Sequence, residues 1–588
     1  MTTAATAPAA ARIVPPPSRP APPTVGADHP NGWLALAVSI AVLALLSSVT
    51  SLGNGFAYDD RWIIVENARV HSLHHAWEIF HETYWPNIRG AALYRPVTIL
   101  LYALQWAIGR GSPLPYHIVN VVLYMGVSVL VLWLALQCLP RGAAWAATAL
   151  FAVHPVHVEA VGNVVGQAEL WTALLMVAAV ALYVRDRRAG LPLPRQSALL
   201  IVGFYLLGIL VKENAIILPA LIVAAEVFLV DDRRTWRERA DSLRSLLVWM
   251  ALVAAALLWM RISVTGEIGG DIPHPALHDL GIGARALAMI GLVPEFGRLL
   301  LWPAHLSADY SPQQVQIYTS WHPALLPGLL LLLCVCILFA VCARRAPVVS
   351  FGIAWLAIAI APVSNVLIPT GILLAERTLL VPSVGAVLAA GVGAGWVLGH
   401  VRRQPRLLRL GAGGALAIVL VLGLSESAQR QYTWKTNASV FLTLAAESPY
   451  NFKSHYTYGG WLFEQKRPAE GEREWRKAIA LMPGYHGVYI DLAHKYREAH
   501  VCQAAIPNYQ KGLALEPSLP IARVSLVACY LELGQWHRAR AESRVAIADG
   551  YYRRAFEYMI ERADSALVAN DSLDGTIKWK GKARVIKP

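Results

Sequence analysis

The chain has 588 residues, of which 56% are hydrophobic and only 15% are charged. Soluble domains usually carry about 25% charged residues, so this composition excludes an ordinary soluble enzyme and indicates a polytopic membrane protein. The net charge of +13 could suggest a nucleic-acid-binding protein. Most of the excess lies in short clusters between apolar runs, however, and the positive-inside rule explains that pattern better. We therefore expect contact with membrane lipid and no nucleic-acid partner.

The first segment, residues 1–30, is rich in Ala and Pro and predicts a disordered cytoplasmic tail. The apolar run that follows is too long for the hydrophobic region of a signal peptide. The six cysteines predict neither a metal site nor a disulfide framework, because four lie in or beside apolar runs. The other two, Cys502 and Cys529, lie far downstream, where only the tertiary fold could pair them.

Apolar runs in residues 31–430 predict eleven membrane-spanning helices. Two further apolar runs carry Arg95, and Glu295 with Arg298. If either run crossed the membrane, every later arginine cluster would change sides, so we predict that both lie at or re-enter the outer surface. The predicted spans are 33–51, 117–137, 142–155, 168–185, 196–211, 214–230, 245–263, 324–342, 348–366, 379–399 and 411–425, and the two excluded runs are 93–109 and 284–303.

The region after the last span, residues 431–588, is charged, aromatic and repetitive. Pro449, Pro483 and Pro517 recur at an interval of 34 residues. This interval, with small residues where helices cross and Pro at helix ends, predicts an α-solenoid of about three tetratricopeptide repeats plus a cap. The concave face of such a solenoid commonly binds extended peptide. The alternative is a packing module that only supports the membrane domain.

Polar side chains collect at the span ends that the charge pattern places outside. A histidine at a helix end is most often structural, and a Lys–Glu neighbour pair most often balances charge locally. Five such clusters on one inferred side favour a shared cavity that holds an anionic head group and leaves a carboxylate to move a proton. The candidates are Asp59, Asp60, Tyr94, Arg95, His154, His157, Glu159, Gln167, Glu169, Lys212, Glu213, Glu376 and Arg377.

These stretches resemble the transmembrane-and-tetratricopeptide-repeat (TMTC) family. Its members are integral-membrane glycosyltransferases of the GT-C fold, related in mechanism to protein O-mannosyltransferases. The resemblance extends from about residue 33 to 555, and it departs at Gln167, where the family pattern leads us to expect Arg. The matching motifs are "FAYDD..IIVEN", "LYRPV", "HPVHVEAV..VVGQAEL", "KENAIILP", "LLAERTLLVPSVG" and the "SP.N" that begins the repeats.

The resemblance implies transfer of a sugar, with mannose expected, from a polyprenyl-phosphate donor on the extracytoplasmic face. The acceptor would be a Ser or Thr hydroxyl of a protein held in the repeat groove, and transfer would proceed with inversion. Asp59 is then expected to be the base that takes the hydroxyl proton. Phosphate binding is expected from Arg377 and Lys212, and sugar binding from His154, His157 and Glu159.

Asp60 is expected to assist in one of three ways. It could orient the loop through Arg61 or Arg95, bind a sugar hydroxyl or hold a divalent metal. Adjacent aspartates are not the spaced D-x-D pair expected of a bidentate metal site. We therefore favour a reaction without a cofactor, although the metal alternative stays open.

Two other classes of function stay open at this point. A transporter or flippase would show broken helices in two related halves, and residues 33–425 show no internal repeat. A non-enzymatic scaffold of an envelope complex would leave the outer carboxylates unexplained. The Ala- and Arg-rich composition suits a bacterial inner membrane, with the catalytic face and the repeats on the extracytoplasmic side.

Overall fold

The computed structural model describes residues 30–86, 93–232, 234–268, 274–277 and 279–573. All regular elements in these ranges are helical, which confirms the prediction of an all-α polytopic protein. The predicted disordered tail lies outside the described residues, apart from Pro30.

The membrane part, residues 30–430, contains fourteen α-helices within the described ranges. Many of these helices are joined by short 3-10 turns. The helices are α1 (Pro30–Ser48), α2 (Pro96–Gly109), α3 (Leu114–Cys138), α4 (Arg141–Ala152), α5 (Val158–Gly162), α6 (Gln167–Arg187), α7 (Arg195–Val211), α8 (Leu218–Phe228), α9 (Trp236–Thr265), α10 (Ile282–Leu301), α11 (Leu326–Arg345), α12 (Pro347–Ile360), α13 (Leu380–Val401) and α14 (Arg406–Arg430).

Seven helical stretches in the described residues are long and apolar enough to cross a membrane. The predicted spans 142–155 and 214–230 correspond to α4 and α8, of 12 and 11 residues. At 1.5 Å per residue each is shorter than about 20 Å, less than the about 30 Å of a hydrocarbon core. The count of eleven spans therefore stays a prediction. The seven stretches are Gly32–Gly53, Leu114–Cys138, Val164–Arg187, Trp236–Thr265, Pro323–Arg345, Glu376–Val401 and Arg406–Trp434.

The two apolar runs that we predicted not to cross form α2 and α10. The α2 helix has 14 residues, and α10 has 20 residues interrupted by Pro294. Neither belongs to the seven long apolar stretches. The orientation that depends on these two helices stays a prediction.

The membrane helices approach one another closely where glycines meet. The α12 helix packs along α13, and a Cβ on either Gly352 or Gly385 would collide with the backbone oxygen of the other glycine. Without a hydrophobic driving force in lipid, such small residues permit the van der Waals contact that joins helices.

The segment between α4 and α6 turns sharply instead of continuing as one helix. His154 accepts a hydrogen bond from the backbone N–H of Val156, and Asn163 does the same for Val165. These side-chain caps end and restart the helical turns on either side of α5. The result places Glu159 at the end of the helices where the other loops meet.

The tail is a row of helical hairpins. First helices begin at residues 452, 486 and 520, and their partners at 468, 502 and 536, so the helix boundaries recur at the interval of the predicted repeats. The tail helices are α15 (Asn437–Glu447), α16 (Phe452–Glu464), α17 (Pro468–Leu481), α18 (His486–Glu498), α19 (Cys502–Leu515), α20 (Pro520–Glu532), α21 (Trp536–Ala548) and α22 (Arg553–Leu573).

Cys502 and Cys529 form a disulfide that the sequence did not predict. Cys502 begins α19 and Cys529 lies near the end of α20. Because these two neighbouring helices pack together in opposite directions, the two Cα atoms come within 5.2 Å. The pairing depends on how consecutive hairpins pack together, which cysteine spacing alone cannot show.

We predict that Cys502→Ser lowers the free energy of unfolding of the tail by roughly 3 kcal/mol, because the disulfide closes a loop in the unfolded chain. The bonded cysteines are 27 residues apart. Thermal unfolding of the purified protein in detergent measures the change. The control is Cys334→Ser, at an exposed free cysteine of α11, which should leave unfolding unchanged. Equal stability of Cys502→Ser and oxidised wild-type protein would contradict the prediction.

Candidate active site

A cavity of about 920 Å³ lies where the loops at one end of the membrane helices meet the tail. Its wall contains five acidic and five basic side chains among the described residues. Seven of the predicted site residues are in this set, and three members were not predicted. The acidic residues are Asp59, Glu159, Glu169, Glu213 and Asp309, and the basic ones are Arg95, Lys212, Arg261, Arg377 and Lys453.

Arg377 lies between two carboxylates of the cavity. Its Nη1 donates to Glu159 Oε1 at 2.9 Å, and its backbone N–H donates to Glu159 Oε2 at 2.9 Å. Its Nη2 lies 3.7 Å from Asp59 Oδ2. The Glu159 side chain is only 1% exposed, whereas Asp59 is 22% exposed. Glu159 therefore fixes Arg377 from behind, and Asp59 faces the open space.

The backbone before Asp59 is held in an uncommon conformation. Tyr58 has a φ of 58°, which costs a residue with a side chain about 1 kcal/mol or more. Its backbone N–H donates to Asn437 Oδ1 at 2.7 Å. Burial raises the pKa of Asp59, while Arg377 and Lys453 oppose that shift. A carboxylate with a raised pKa is a better proton acceptor than a solvated one.

Two more ion pairs line the opposite part of the cavity. Lys212 pairs with Glu169, and both are almost fully buried. Arg95 donates through Nε to Glu213 Oε2 at 2.9 Å, and its guanidinium lies 4.8 Å from the ring centre of Tyr84. Burial disfavours the charge of Glu213, but Arg95 outweighs it, and the pKa of Glu213 falls to about 2. These pairs hold positive charge in place beside the space.

The wall next to these cations is aliphatic. It is formed by α7, α9, α10 and the irregular segment 361–374. A molecule with an anionic head and an apolar chain would satisfy both kinds of wall, because charge meets charge and hydrocarbon avoids water. The large apolar residues of this wall are Ile209, Leu210, Leu257, Leu258, Phe296, Leu367 and Ile368.

Comparison with known proteins finds several relatives that match most of the chain. No family model matches the chain. It is 25% identical over 540 residues to protein O-mannosyl-transferase TMTC3 of Mus musculus, covering 86% of this chain and 58% of that protein. It is 28% identical over 470 residues to protein O-mannosyl-transferase F38B6.6 of Caenorhabditis elegans, covering 77% and 63%. It is 26% identical over 486 residues to protein O-mannosyl-transferase TMTC4 of Mus musculus, covering 74% and 65%.

The chain is thus similar over most of its length to proteins named for the TMTC group. This confirms the resemblance inferred from its motifs. The TMTC relatives are longer, and the chain spans less than two thirds of the length of those three proteins.

Asp60, which we expected to act in catalysis, does not line the cavity. Its fully buried carboxylate accepts the backbone N–H of Ala57 at 3.0 Å and that of Val165 at 2.9 Å. Arg61 does not orient it, because Arg61 pairs with other carboxylates, including Glu464 of the tail at 2.6 Å. Asp60 thus connects the first loop to the turn before α6. Its position next to Asp59 in the sequence did not indicate this structural role.

The two histidines expected to bind sugar lie behind the wall. His154 Nε2 is 3.1 Å from the carbonyl oxygen of Leu300. His157 lies between the Tyr124 hydroxyl at 3.0 Å and Ser383 Oγ at 2.9 Å. The ring of His154 therefore joins the turn before α5 to the end of α10. Both conform to the common structural role of a histidine at a helix end.

Gln167 and Glu376 also lie away from the cavity. Gln167 donates to Asn120 Oδ1 at 2.8 Å within a buried amide cluster. Glu376 Oε1 accepts the Tyr310 hydroxyl at 2.7 Å and anchors the loop that follows α10. The sequence placed both at the correct end of the helices, but it could not give the direction of either side chain.

Three charged residues of the wall were missed. Arg261 lies within the apolar α9, and the cost of charge in such a helix could have marked it. Asp309 lies in the irregular loop after α10, where no pattern distinguishes it. Lys453 lies just beyond the "SP.N" motif at the start of the repeats, but we had assigned that region only to the tail.

We predict that Asp60→Asn destabilises the protein by about 1–3 kcal/mol, because an amide cannot accept from all the backbone N–H groups that the carboxylate satisfies. The matched variant is Asp59→Asn, whose side chain faces the cavity and should change the unfolding free energy by less than about 1 kcal/mol. Thermal unfolding of both purified variants in one detergent tests the pair. A larger loss in Asp59→Asn would show that these roles are reversed.

Proposed function

We propose that this protein transfers a sugar, with mannose as the expected one, from a polyprenyl-phosphate donor to a Ser or Thr hydroxyl of a protein. The observation that carries the proposal is the partly exposed carboxylate of Asp59 beside the fixed guanidinium of Arg377. Relatives that match most of this chain are named protein O-mannosyl-transferases. These names support mannose as the sugar and a protein as the acceptor.

In this mechanism Asp59 takes the proton of the acceptor hydroxyl. The hydroxyl oxygen forms a bond to the anomeric carbon as the bond from that carbon to the phosphate oxygen breaks, and the configuration inverts. The electron pair leaves with the lipid phosphate. A hydroxyl is a weak nucleophile without a base in hydrogen-bond reach, and the departing phosphate needs positive charge held in place beforehand.

The cavity supplies that charge through the protein itself. Arg377 offers a planar fork that suits phosphate oxygens, and Lys212 offers a compact ammonium. The aliphatic wall beside Lys212 suits the isoprenoid chain of the donor. We therefore propose a reaction that needs no cofactor, which chelator-treated enzyme would test directly.

We propose an extracytoplasmic location for the cavity and the tail, in a bacterial inner membrane. The charge pattern supports this side for the loops. The Cys502–Cys529 disulfide supports it for the tail, because disulfides persist in oxidising compartments and are rare in the cytosol. A non-enzymatic scaffold would leave the proton acceptor beside a fixed cation unexplained.

We predict that Asp59→Asn lowers transfer at least about a hundredfold, because it keeps the shape of the side chain and removes the base. The assay follows radiolabelled mannose from mannosyl-phosphoryl polyprenol into Ser- and Thr-containing synthetic peptides. The control is Asp491→Asn, which changes an aspartate in α18 of the tail, outside the cavity. Turnover near the wild-type level in folded Asp59→Asn would rule out this base.

The same base sets the pH dependence. Asp59 acts when deprotonated, and burial raises its pKa above the usual 3.8. Transfer should therefore decline as pH falls, and the decline should begin at a higher pH than for a solvated aspartate. Rates measured from about pH 8 to about pH 4, with folded protein checked at each pH, give the profile.

We predict that Arg377→Ala raises the KM for the lipid donor more than Arg377→Lys does, because a lysine keeps the charge and loses only the two-pronged contact. A difference of roughly tenfold between the variants is expected. Because Glu159 would lose its buried partner, the pair is repeated in a Glu159→Gln background. Equal defects of Ala and Lys in both backgrounds would indicate a structural arginine.

A further inference from the structure

The first hairpin of the tail contributes directly to the cavity. Asn451 caps α16 by accepting the backbone N–H of Lys453 at 2.9 Å. This cap directs the second residue of the helix toward the membrane part, and the Lys453 side chain lines the same cavity as Asp59. Its Nζ lies 3.1 Å from Asp309 Oδ2. The tail is therefore part of the cavity wall.

The partner of Lys453 is held rigidly. Asn451 Nδ2 donates to Asp309 Oδ1 at 2.9 Å and to the Asp309 carbonyl oxygen at 3.0 Å. Ser307 and Ser448 join the same loop to the tail by a hydroxyl–hydroxyl contact of 2.7 Å. With the Asp309 side chain only 7% exposed, this ion pair has a fixed position. Fixed charges of this kind suit recognition, because little freedom is lost on binding.

The cavity has two chemically different sides. The aliphatic wall accompanies Arg95 and Lys212, and that side suits the lipid donor. Asp309 and Lys453 belong to the side formed with the tail, where the wall comes from the loop after α10 and from α16. Asp59 is influenced by charge from both sides, because Arg377 and Lys453 both favour its ionised form. An acceptor held along the tail would have Lys453 and Asp59 in the same cavity.

We propose that Lys453 is an acceptor-binding residue, whose ammonium group donates to a backbone carbonyl of the acceptor protein and so places the hydroxyl against Asp59. A lysine ammonium has three N–H donors, and the contact with Asp309 uses one. An extended peptide offers a carbonyl at every residue, so this contact selects the position of the chain and not its side chains. This inference rests on the proposed transferase function and names how its acceptor is held.

The inference changes how the role of the tail should be tested. Removing the tail beyond residue 447 would delete Lys453 and also leave Asp309 buried without its partner. Truncation would then lower both the transfer rate and the amount of folded protein, so it cannot separate acceptor selection from catalysis. Single substitutions at the pair separate them.

The test compares Lys453→Met, Lys453→Arg and the double variant Lys453→Met with Asp309→Asn, which avoids an unpaired buried carboxylate. The control is Lys511→Met, at an exposed lysine of α19. Transfer is measured with mannosyl-phosphoryl polyprenol and Thr-containing synthetic peptides, and each substrate is varied in turn. We expect the KM for peptide to rise roughly ten- to hundredfold in both Met variants, the KM for donor to change less than about twofold, and Arg to restore most of the loss.

The pH profile reports the charge that Lys453 places beside Asp59, separately from the KM values that report acceptor binding. Asp59 is faced by Arg377, Arg95, Glu159, Asp309 and Lys453. Loss of the Lys453 cation removes one charge that favours ionised Asp59, so the acidic limb of the profile should move to higher pH in Lys453→Met. In Lys453→Arg the limb should stay in place.

Each outcome decides between the claims. Wild-type protein that transfers no sugar to any peptide would overturn the proposed function and the acceptor role with it. Wild-type transfer combined with an unchanged peptide KM in both Met variants would overturn the acceptor role alone. Equal increases in the KM for donor and peptide would also overturn it, because they would show that Lys453 supports the whole cavity.

Discussion

The arrangement of the cavity depends on one buried arginine and the carboxylate that fixes it. A guanidinium cannot lose its charge in a protein, so burying Arg377 requires hydrogen-bond and ion-pair partners that offset the free energy of its lost hydration. Glu159 does so through both the backbone and the side chain of that residue. The sharp turns on either side of α5 place the Glu159 carboxylate beside Arg377. With the cation fixed, the carboxylate of Asp59 stays partly exposed and faces the Arg377 guanidinium across 3.7 Å.

The sequence predicted the parts of the molecule that depend on local pattern. Apolar runs and the 34-residue interval indicated the helices. The energetic cost of charged residues near lipid indicated which loops lie together around the cavity. Span lengths were less reliable, because α4 and α8 are shorter than a membrane crossing and their apolar runs continue into turns. A run of hydrophobic residues indicates that a segment is buried, but it does not show whether lipid or protein surrounds it.

Side-chain direction separated the correct site residues from the others. Asp59 and Asp60 are neighbours with the same chemistry, yet one faces the cavity and the other satisfies backbone N–H groups. That difference arises from turns made by residues a hundred positions away, which no motif contains. Lys453 was missed for the same reason, because its partner Asp309 is distant in sequence and its loop carries no periodic signal.

The contact between Asp309 and Lys453 can form only late in the synthesis of the chain, because Lys453 follows the last membrane helix. The loop that carries Asp59 is made first, Arg377 follows, and Lys453 is made only after the last membrane helix. A ribosome-bound chain that has inserted all its membrane helices still lacks one wall of the cavity. Under the proposed function, an unfinished or prematurely terminated chain would have a lipid-facing slot but no place for an acceptor. Under that function, incomplete copies in the membrane would modify no protein, because the acceptor side of the cavity is completed only when the first hairpin of the tail has been made.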